Sequence, residues 1–152
     1  MRLQRSVNGN QGPFMKKRIV LLGSTGSIGE NALRVVSHLS AELTVLGLAA
    51  GRRADRVSEQ AAAFGCNWVY VAEADARSSM KIGLPDGVRV LRNEEALCKA
   101  VAHPEVDIVL CAIVGTGGLR PVLSAIRAGK DIALASKEIL VMAGELVMAE
   151  AR

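Results

Sequence analysis

The stretch Gly23-Ser24-Thr25-Gly26-Ser27-Ile28-Gly29 constrains this chain more than any other. It follows the apolar run Arg18-Ile19-Val20-Leu21-Leu22 and opens a helical pattern, so it reads as strand, glycine turn, helix. The phosphates of a dinucleotide need that order. Without a Cβ, glycine permits a tight turn, lets backbone approach a pyrophosphate, and lets helix pack closely on strand. The helix N-terminus then offers free N–H groups and a partial positive charge to the anion. Ser24, Thr25 and Ser27 add hydroxyls, and one of the three is expected to cap the helix. The spacing is G-x-x-G-x-x-G, a relative of G-x-G-x-x-G. Taken alone it also fits a turn that binds nothing. Its force comes from the chain around it.

That chain alternates. After the turn, Ile28, Ala32, Leu33, Val35, Val36 and Leu39 give a helical apolar face, and Leu43 to Ala50 is a near-continuous apolar run, as a buried parallel strand should be. Ala54 to Phe64 reads as a helix stopped at Gly65, Trp68 to Ala72 as a strand, and Glu73 to about Lys81 as a short helix. Pro85-Asp86-Gly87 is a turn before a brief strand at 88–91. Glu94 to His103 is helical and ended by Pro104, and Val106 to Val114 is a strand closing at Gly115. Leu119 to Ala128 is a helix with Pro121 in its first turn and Gly129 just past its end. Asp131 to Ala135 is a strand, and Lys137 onward is helical to the last residue. Strand–helix alternation predicts an α/β fold: a doubly wound, mostly parallel sheet covered on both faces, with ligands at the carboxyl ends of the strands. The expected architecture is a Rossmann-like dinucleotide-binding domain over residues 15–152. Residues 1–14 are polar and aperiodic and read as a flexible leader.

At 152 residues the chain has room for one domain with a sizeable core. The net charge of +4 is misleading, because residues 1–18 hold Arg2, Arg5, Lys16, Lys17 and Arg18 and no acid, leaving 14 basic against 15 acidic residues elsewhere. A basic nucleic-acid-binding body is not supported. No apolar run reaches the roughly 18 residues of a membrane span. Cys66, Cys98 and Cys111 form no C-x-x-C pair and no zinc pattern with His38 or His103, so reduced thiols are the plain reading, with Cys111 buried in a strand. The turn lacks the Lys-Ser/Thr of a P-loop, and there is no G-x-S-x-G elbow. The only tyrosine, Tyr70, has Ala74 four residues on, so a Tyr-x-x-x-Lys pair is missing.

Three further strand ends lie on the edge where a cofactor belongs. The second strand ends in Gly51-Arg52-Arg53, where a NAD site usually places an acid for the ribose 2′-hydroxyl. Two arginines suit a 2′-phosphate instead, since guanidinium pairs bidentately with phosphate oxygens. NADPH is therefore the expected cofactor, against the plainer possibility of two exposed surface arginines. The strand ending in Ala112-Ile113-Val114-Gly115 would flank the nicotinamide ribose and ring. The last strand ends in Ala135-Ser136-Lys137-Glu138. There Lys137 can hold an anionic substrate and Glu138 can orient it or a ribose, or Ser136 can be simply an N-cap followed by first-turn charges.

Together these stretches, with Ala125-Ile126-Arg127-Ala128-Gly129-Lys130, resemble the N-terminal NADPH-binding domain of 1-deoxy-D-xylulose 5-phosphate reductoisomerases, over about Lys16 to Arg152. The resemblance implies that Thr25, Gly26, Ser27 and Ile28 hold the NADPH pyrophosphate and ribose. It places Gly51, Arg52 and Arg53 around the 2′-phosphate, Ser136 and Glu138 at the nicotinamide half, and Lys137 on the sugar-phosphate substrate. Ser136 stands where the family usually has Asn, and keeps a polar group there. The family rearranges its substrate's carbon skeleton and reduces the resulting aldehyde to 2-C-methyl-D-erythritol 4-phosphate, in the non-mevalonate isoprenoid pathway. A divalent metal, Mg or Mn, grips the substrate oxygens through acidic residues in a Val-Asp-Ser-Glu-like segment that would lie beyond Arg152.

The implied parent is a homodimer of the bacterial cytoplasm or the plastid stroma. The expectation is a fragment: a cofactor domain that binds NADPH but does not turn over, with Leu140, Val141, Leu146 and Val147 awaiting a partner domain. Two rivals remain from the sequence. One is the cofactor domain of a semialdehyde or homoserine dehydrogenase. The other is a dinucleotide-sensing module without chemistry.

Overall fold

The computed structural model describes residues 15–80 and 83–152. The expected leader at 1–14 and the expected end of the third helix at Lys81 lie outside the described residues. Six strands alternate with six helices: β1 (Lys17–Leu22), α1 (Ser27–His38), β2 (Leu43–Ala50), α2 (Ala54–Phe64), β3 (Trp68–Val71), α3 (Ala74–Ser79), β4 (Arg89–Val90), α4 (Glu94–Val101), β5 (Ile108–Cys111), α5 (Leu119–Arg127), β6 (Asp131–Leu134) and α6 (Lys137–Glu150). Every strand pair is parallel, in the order β4-β3-β2-β1-β5-β6. The chain builds outward from β1 to β4, then crosses back to lay β5 on the other side of β1. That reversal opens a crevice at the carboxyl ends of β1 and β5, the switch point where open α/β sheets take ligands.

The alternation of a strand puts successive side chains on opposite faces, and β1 is apolar on both. Val20 and Leu22 face α4, α5 and α6, packing with Leu97, Val101, Val122 and Ile139. Ile19 and Leu21 face α1 and α2, packing with Leu33, Val36, Val57 and Ala61. Val20, Leu21 and Leu22 have no solvent exposure at all, so the strand that delivers the glycine turn is anchored from both sides. The turn inherits that rigidity.

Several boundaries differ from the sequence reading, each for a visible reason. The strand expected at 106–114 is ordered only over Ile108–Cys111, and Val114 is exposed. Beyond the bond from Ala112 N–H to the Leu22 carbonyl, β1 has already turned away at Gly23, and β6, the neighbour on the other side, ends at Leu134, so β5 has no strand left to pair with. On α1 the buried residues are Gly29, Leu33 and Val36, while Ile28 and Val35 face solvent. The N-cap of α1 is Gly26, with no side-chain cap bond, so none of the three hydroxyls serves as the expected cap. Ser24 and Thr25 are buried in the turn instead. Finally, α6 is not regular to the last residue: it departs from helical geometry at Ala143, beside Gly144, and ends at Glu150. It rests on the core through Ile139 and Val147, and leaves Leu140, Val141, Met142, Leu146 and Met148 exposed.

Candidate cofactor site

The sheet order brings four of the sequence-derived segments onto one edge. The turn after β1 is flanked by Gly51-Arg52-Arg53 after β2 on one side, and by the ends of β5 and β6 on the other. The turn itself is pinned. The Gly23 and Ser24 N–H groups both donate to the Ala49 carbonyl, at 2.8 and 3.0 Å. Gly23 has φ +86°, and a Cβ there would lie 2.8 Å from the Ala112 backbone. A Cβ on Gly29 would lie 2.1 Å from the Gly23 carbonyl oxygen. Two of the three glycines are thus demanded by the fold itself.

Gly26 is different. Its backbone is extended, at φ −79° and ψ 170°, which any residue adopts. The nearest atom to a Cβ there would be the Gly23 oxygen, 3.7 Å away, an ordinary contact. The fold does not require glycine at this position. Beside it, the N–H groups of Thr25, Ser27 and Ile28 have no acceptor among the described residues. The buried Ser24 hydroxyl is likewise without a partner. Free N–H groups at a helix N-terminus, with the space of a missing side chain before them, fit a pyrophosphate.

On the β2 side, Arg53 Nη1 donates to the Thr25 carbonyl at 3.0 Å, joining the turn after β1 directly to the segment after β2. Arg52 is exposed and makes no side-chain hydrogen bond or ion pair among the described residues. A polar hollow of about 760 Å³ runs along Arg34, Arg52, Arg53, Arg56 and Glu30. On the β6 side, Ser136 is the N-cap residue of α6, but its hydroxyl donates to the Glu138 carboxylate at 2.8 Å rather than accepting a cap bond. The Glu138 carboxyl is held below its ordinary range, first by its own backbone N–H and then by Ser136. Lys137 is exposed beside them. The structure therefore gathers Thr25, Gly26, Ser27, Ile28, Gly51, Arg52 and Arg53 around one turn. Ser136, Lys137 and Glu138 stand two strands away along the same edge.

A model of the 1-deoxy-D-xylulose 5-phosphate reductoisomerase family matches residues 19–144. The chain belongs to that family. A relative from Symbiobacterium thermophilum bearing the family's name is 48% identical over 143 residues, which are 91% of this chain and 37% of that protein. The chain thus spans little more than a third of the length of the curated relatives it matches. The Zymomonas mobilis reductoisomerase solved in complex with NADPH superposes with a TM-score of 0.84 at 31% identity, over 91% of this chain and 36% of the other. A reductoisomerase in complex with NADPH, fosmidomycin and magnesium gives a TM-score of 0.81 at 33% identity, over 89% of this chain and 34% of the other. Among the described residues no three His, Cys, Asp or Glu side chains gather as a metal site, and no helix is long and apolar enough to cross a membrane.

Reading the sequence missed a layer behind the turn. Arg56 of α2 pairs bidentately with Glu30 of α1, at 2.6 and 2.8 Å, and also meets Glu59 at 2.6 Å. Gln60 reaches from the buried face of α2 to the Ser24 carbonyl at 2.9 Å and to Glu30 Oε1 at 3.1 Å. One signal was available. Gln60 follows Val57 by three residues and precedes Ala61, a polar side chain at helical spacing for burial.

The Glu30 carboxyl is held below its ordinary value of 4.5, first by the hydrogen bond from Arg56 against an opposing effect of burial, then by the Arg56 charge. A carboxyl lowered in the folded state stabilises the fold above its unfolded value and loses that contribution as pH falls through the folded one. Below pH 4.5 the pair should therefore weaken. Arg56→Met is expected to flatten this part of the acid limb and to lower stability near neutrality, as read by chemical unfolding at several pH values. An unchanged stability-versus-pH curve would mean that the pair does not form in solution.

Proposed function

We propose that residues 15–152 are the NADPH-binding domain of an enzyme that rearranges and reduces 1-deoxy-D-xylulose 5-phosphate to 2-C-methyl-D-erythritol 4-phosphate. The observation that carries this reading is Gly26, a glycine the fold does not need, set before the free N–H groups of Thr25, Ser27 and Ile28 and beside two arginines. Family membership supplies the reaction. In this reading the turn takes the pyrophosphate, and Gly51, Arg52 and Arg53 take the adenosine 2′-phosphate. Ser136 and Glu138 meet the nicotinamide half, with the Ser136 oxygen still able to accept, and Lys137 reaches the sugar phosphate. NADPH, when bound, supplies the hydride. The residues of this chain orient it and hold its charge. The divalent metal, Mg or Mn, would be held by residues beyond this chain, as would the contacts of a homodimer. The exposed apolar residues of α6 would lie against the remainder of the parent. The parent would work in the bacterial cytoplasm or plastid stroma, with residues 1–14 as a leader.

The semialdehyde alternative needs a reactive cysteine. Cys111 has no exposure, and burial pushes its thiol upward, away from the thiolate a nucleophile requires. Parallel calorimetric titrations with NADPH and NADH test the proposal. NADPH should bind at least about tenfold tighter, as one charge-assisted contact to phosphate provides. Equal affinities would reduce the arginines to surface charges, and a folded chain that binds neither would overturn the cofactor reading.

A further inference from the structure

We propose that Gln60 is a positioning residue for the dinucleotide turn: its amide holds the Ser24 carbonyl behind the turn and thereby aims the Thr25 N–H at the cofactor phosphates. This rests on the cofactor reading above. The peptide bonds of the described chain are all trans, so a carbonyl and the N–H that follows it point in opposite directions. Fixing the Ser24 oxygen toward α2 therefore fixes the Thr25 N–H away from α2. The next carbonyl, that of Thr25, is held by Arg53. The Ser24 N–H is committed to Ala49. The Ser24–Thr25 peptide is thus set by Gln60 alone, whereas the Thr25–Gly26 peptide is held by Arg53 at its carbonyl and by the turn's own bond from Gly26 N–H to the Gly23 carbonyl at 3.3 Å.

The amide orientation is determined by its surroundings. Two acceptors, the Ser24 carbonyl and the Glu30 carboxylate, lie on one side of Gln60, so that side must be the NH₂. Glu30 is in turn clamped by Arg56, which makes it a fixed backing for the amide. The contribution of Gln60 to stability is divided. The residue is 3% exposed, and its Oε1 has no partner among the described residues, a cost that offsets part of what its bonds to Ser24 and Glu30 contribute. The gain from Gln60 lies in where it holds the turn.

Binding should therefore weaken under conditions where the variants are still fully folded, which a purely structural residue would not cause. Gln60→Met keeps the length and removes the polar atoms, and Gln60→Asn keeps the amide but falls one methylene short. In titrations of the full chain, both variants should bind NADPH and NADH about tenfold more weakly, the worth of one ordinary hydrogen bond. The NADPH-to-NADH ratio should be unchanged, and both variants should remain folded at the titration temperature, although Gln60→Met leaves the Ser24 carbonyl without its donor and should lower the Tm. The proposal is overturned if affinity stays within about twofold, if the loss is confined to NADPH, or if binding is lost only where the variant has unfolded. The amide resonances of the free chain separate failure of this inference from failure of the cofactor reading. If wild type binds neither nucleotide but the Thr25 amide shifts selectively in both variants, Gln60 still positions the turn and the ligand is wrong. If the Thr25 amide does not move, Gln60 positions nothing.

Discussion

Gly29→Ala is expected to cost the chain a large share of its stability, and Gly26→Ala to leave it folded but weakly binding. The two substitutions add the same methyl group three residues apart, and the surroundings decide their different outcomes. At Gly29 the new Cβ would stand 2.1 Å from the Gly23 oxygen and 2.7 Å from the Ser24 backbone. Those atoms cannot retreat, because Gly23 and Ser24 are both tied to Ala49 and Gly23 is pressed against Ala112. Overpacking of this kind costs about 1–3 kcal/mol or more. Out of a total of about 5–15 kcal/mol, that is a large share, and about 3 kcal/mol would lower the Tm of a chain this long by roughly 10 °C.

At Gly26 the cost to folding should be only about 0.5–1 kcal/mol, the preference for glycine over alanine at a helix N-cap. The methyl group would instead fill the approach to the free N–H groups of Thr25 and Ser27, and NADPH affinity should fall by about tenfold or more. Thermal melts and NADPH titrations of both variants check this. A Gly26→Ala chain that binds as wild type would leave the stretch a structural turn and nothing else.

The same contrast marks how far the sequence could be read. The alternation of apolar runs and helical patterns placed all six strands and six helices, because each strand of a parallel sheet buried on both faces is a short continuous apolar block. It could not end β5 correctly. Val114 and Ile113 are as apolar as the strand before them, and it is the departure of β1 at Gly23 and the end of β6 at Leu134 that remove the partners β5 would need. Nor could composition tell the role of Gly26 from those of Gly23 and Gly29, since all three read as the same letter. The Gln60 layer was hidden for another reason. Its partners, Ser24 and Glu30, are 36 and 30 residues away in the chain, and nothing local ties them together. What sequence spacing conveys is which residues share a face. Which carbonyl a buried amide holds is settled only when two helices dock on one turn.

Arg52 and Arg53 adjoin in sequence but should fail differently when removed. Arg52 is exposed and makes no side-chain hydrogen bond or ion pair among the described residues, so its guanidinium is available to a phosphate that only NADPH carries. Arg52→Ala should weaken NADPH by about 10- to 100-fold, the range of a charge-assisted hydrogen bond, and leave NADH within about twofold. Arg53 already donates to the Thr25 carbonyl at 3.0 Å, so it is part of the turn before any ligand arrives. Arg53→Ala should therefore weaken both nucleotides, because it loosens the Thr25–Gly26 peptide that lies between the free N–H groups of Thr25 and Ser27, as well as removing charge. Raising the salt concentration should erode the NADPH preference of wild type and of Arg53→Ala, since the remaining guanidinium still meets the extra phosphate in an exposed setting. It should have little left to erode in Arg52→Ala. Titrations of the three proteins with both nucleotides, at low and high salt, separate the two roles. If Arg53→Ala spared NADH as fully as Arg52→Ala, the Arg53–Thr25 contact would have no part in shaping the turn, and the pair would act as a single patch of charge.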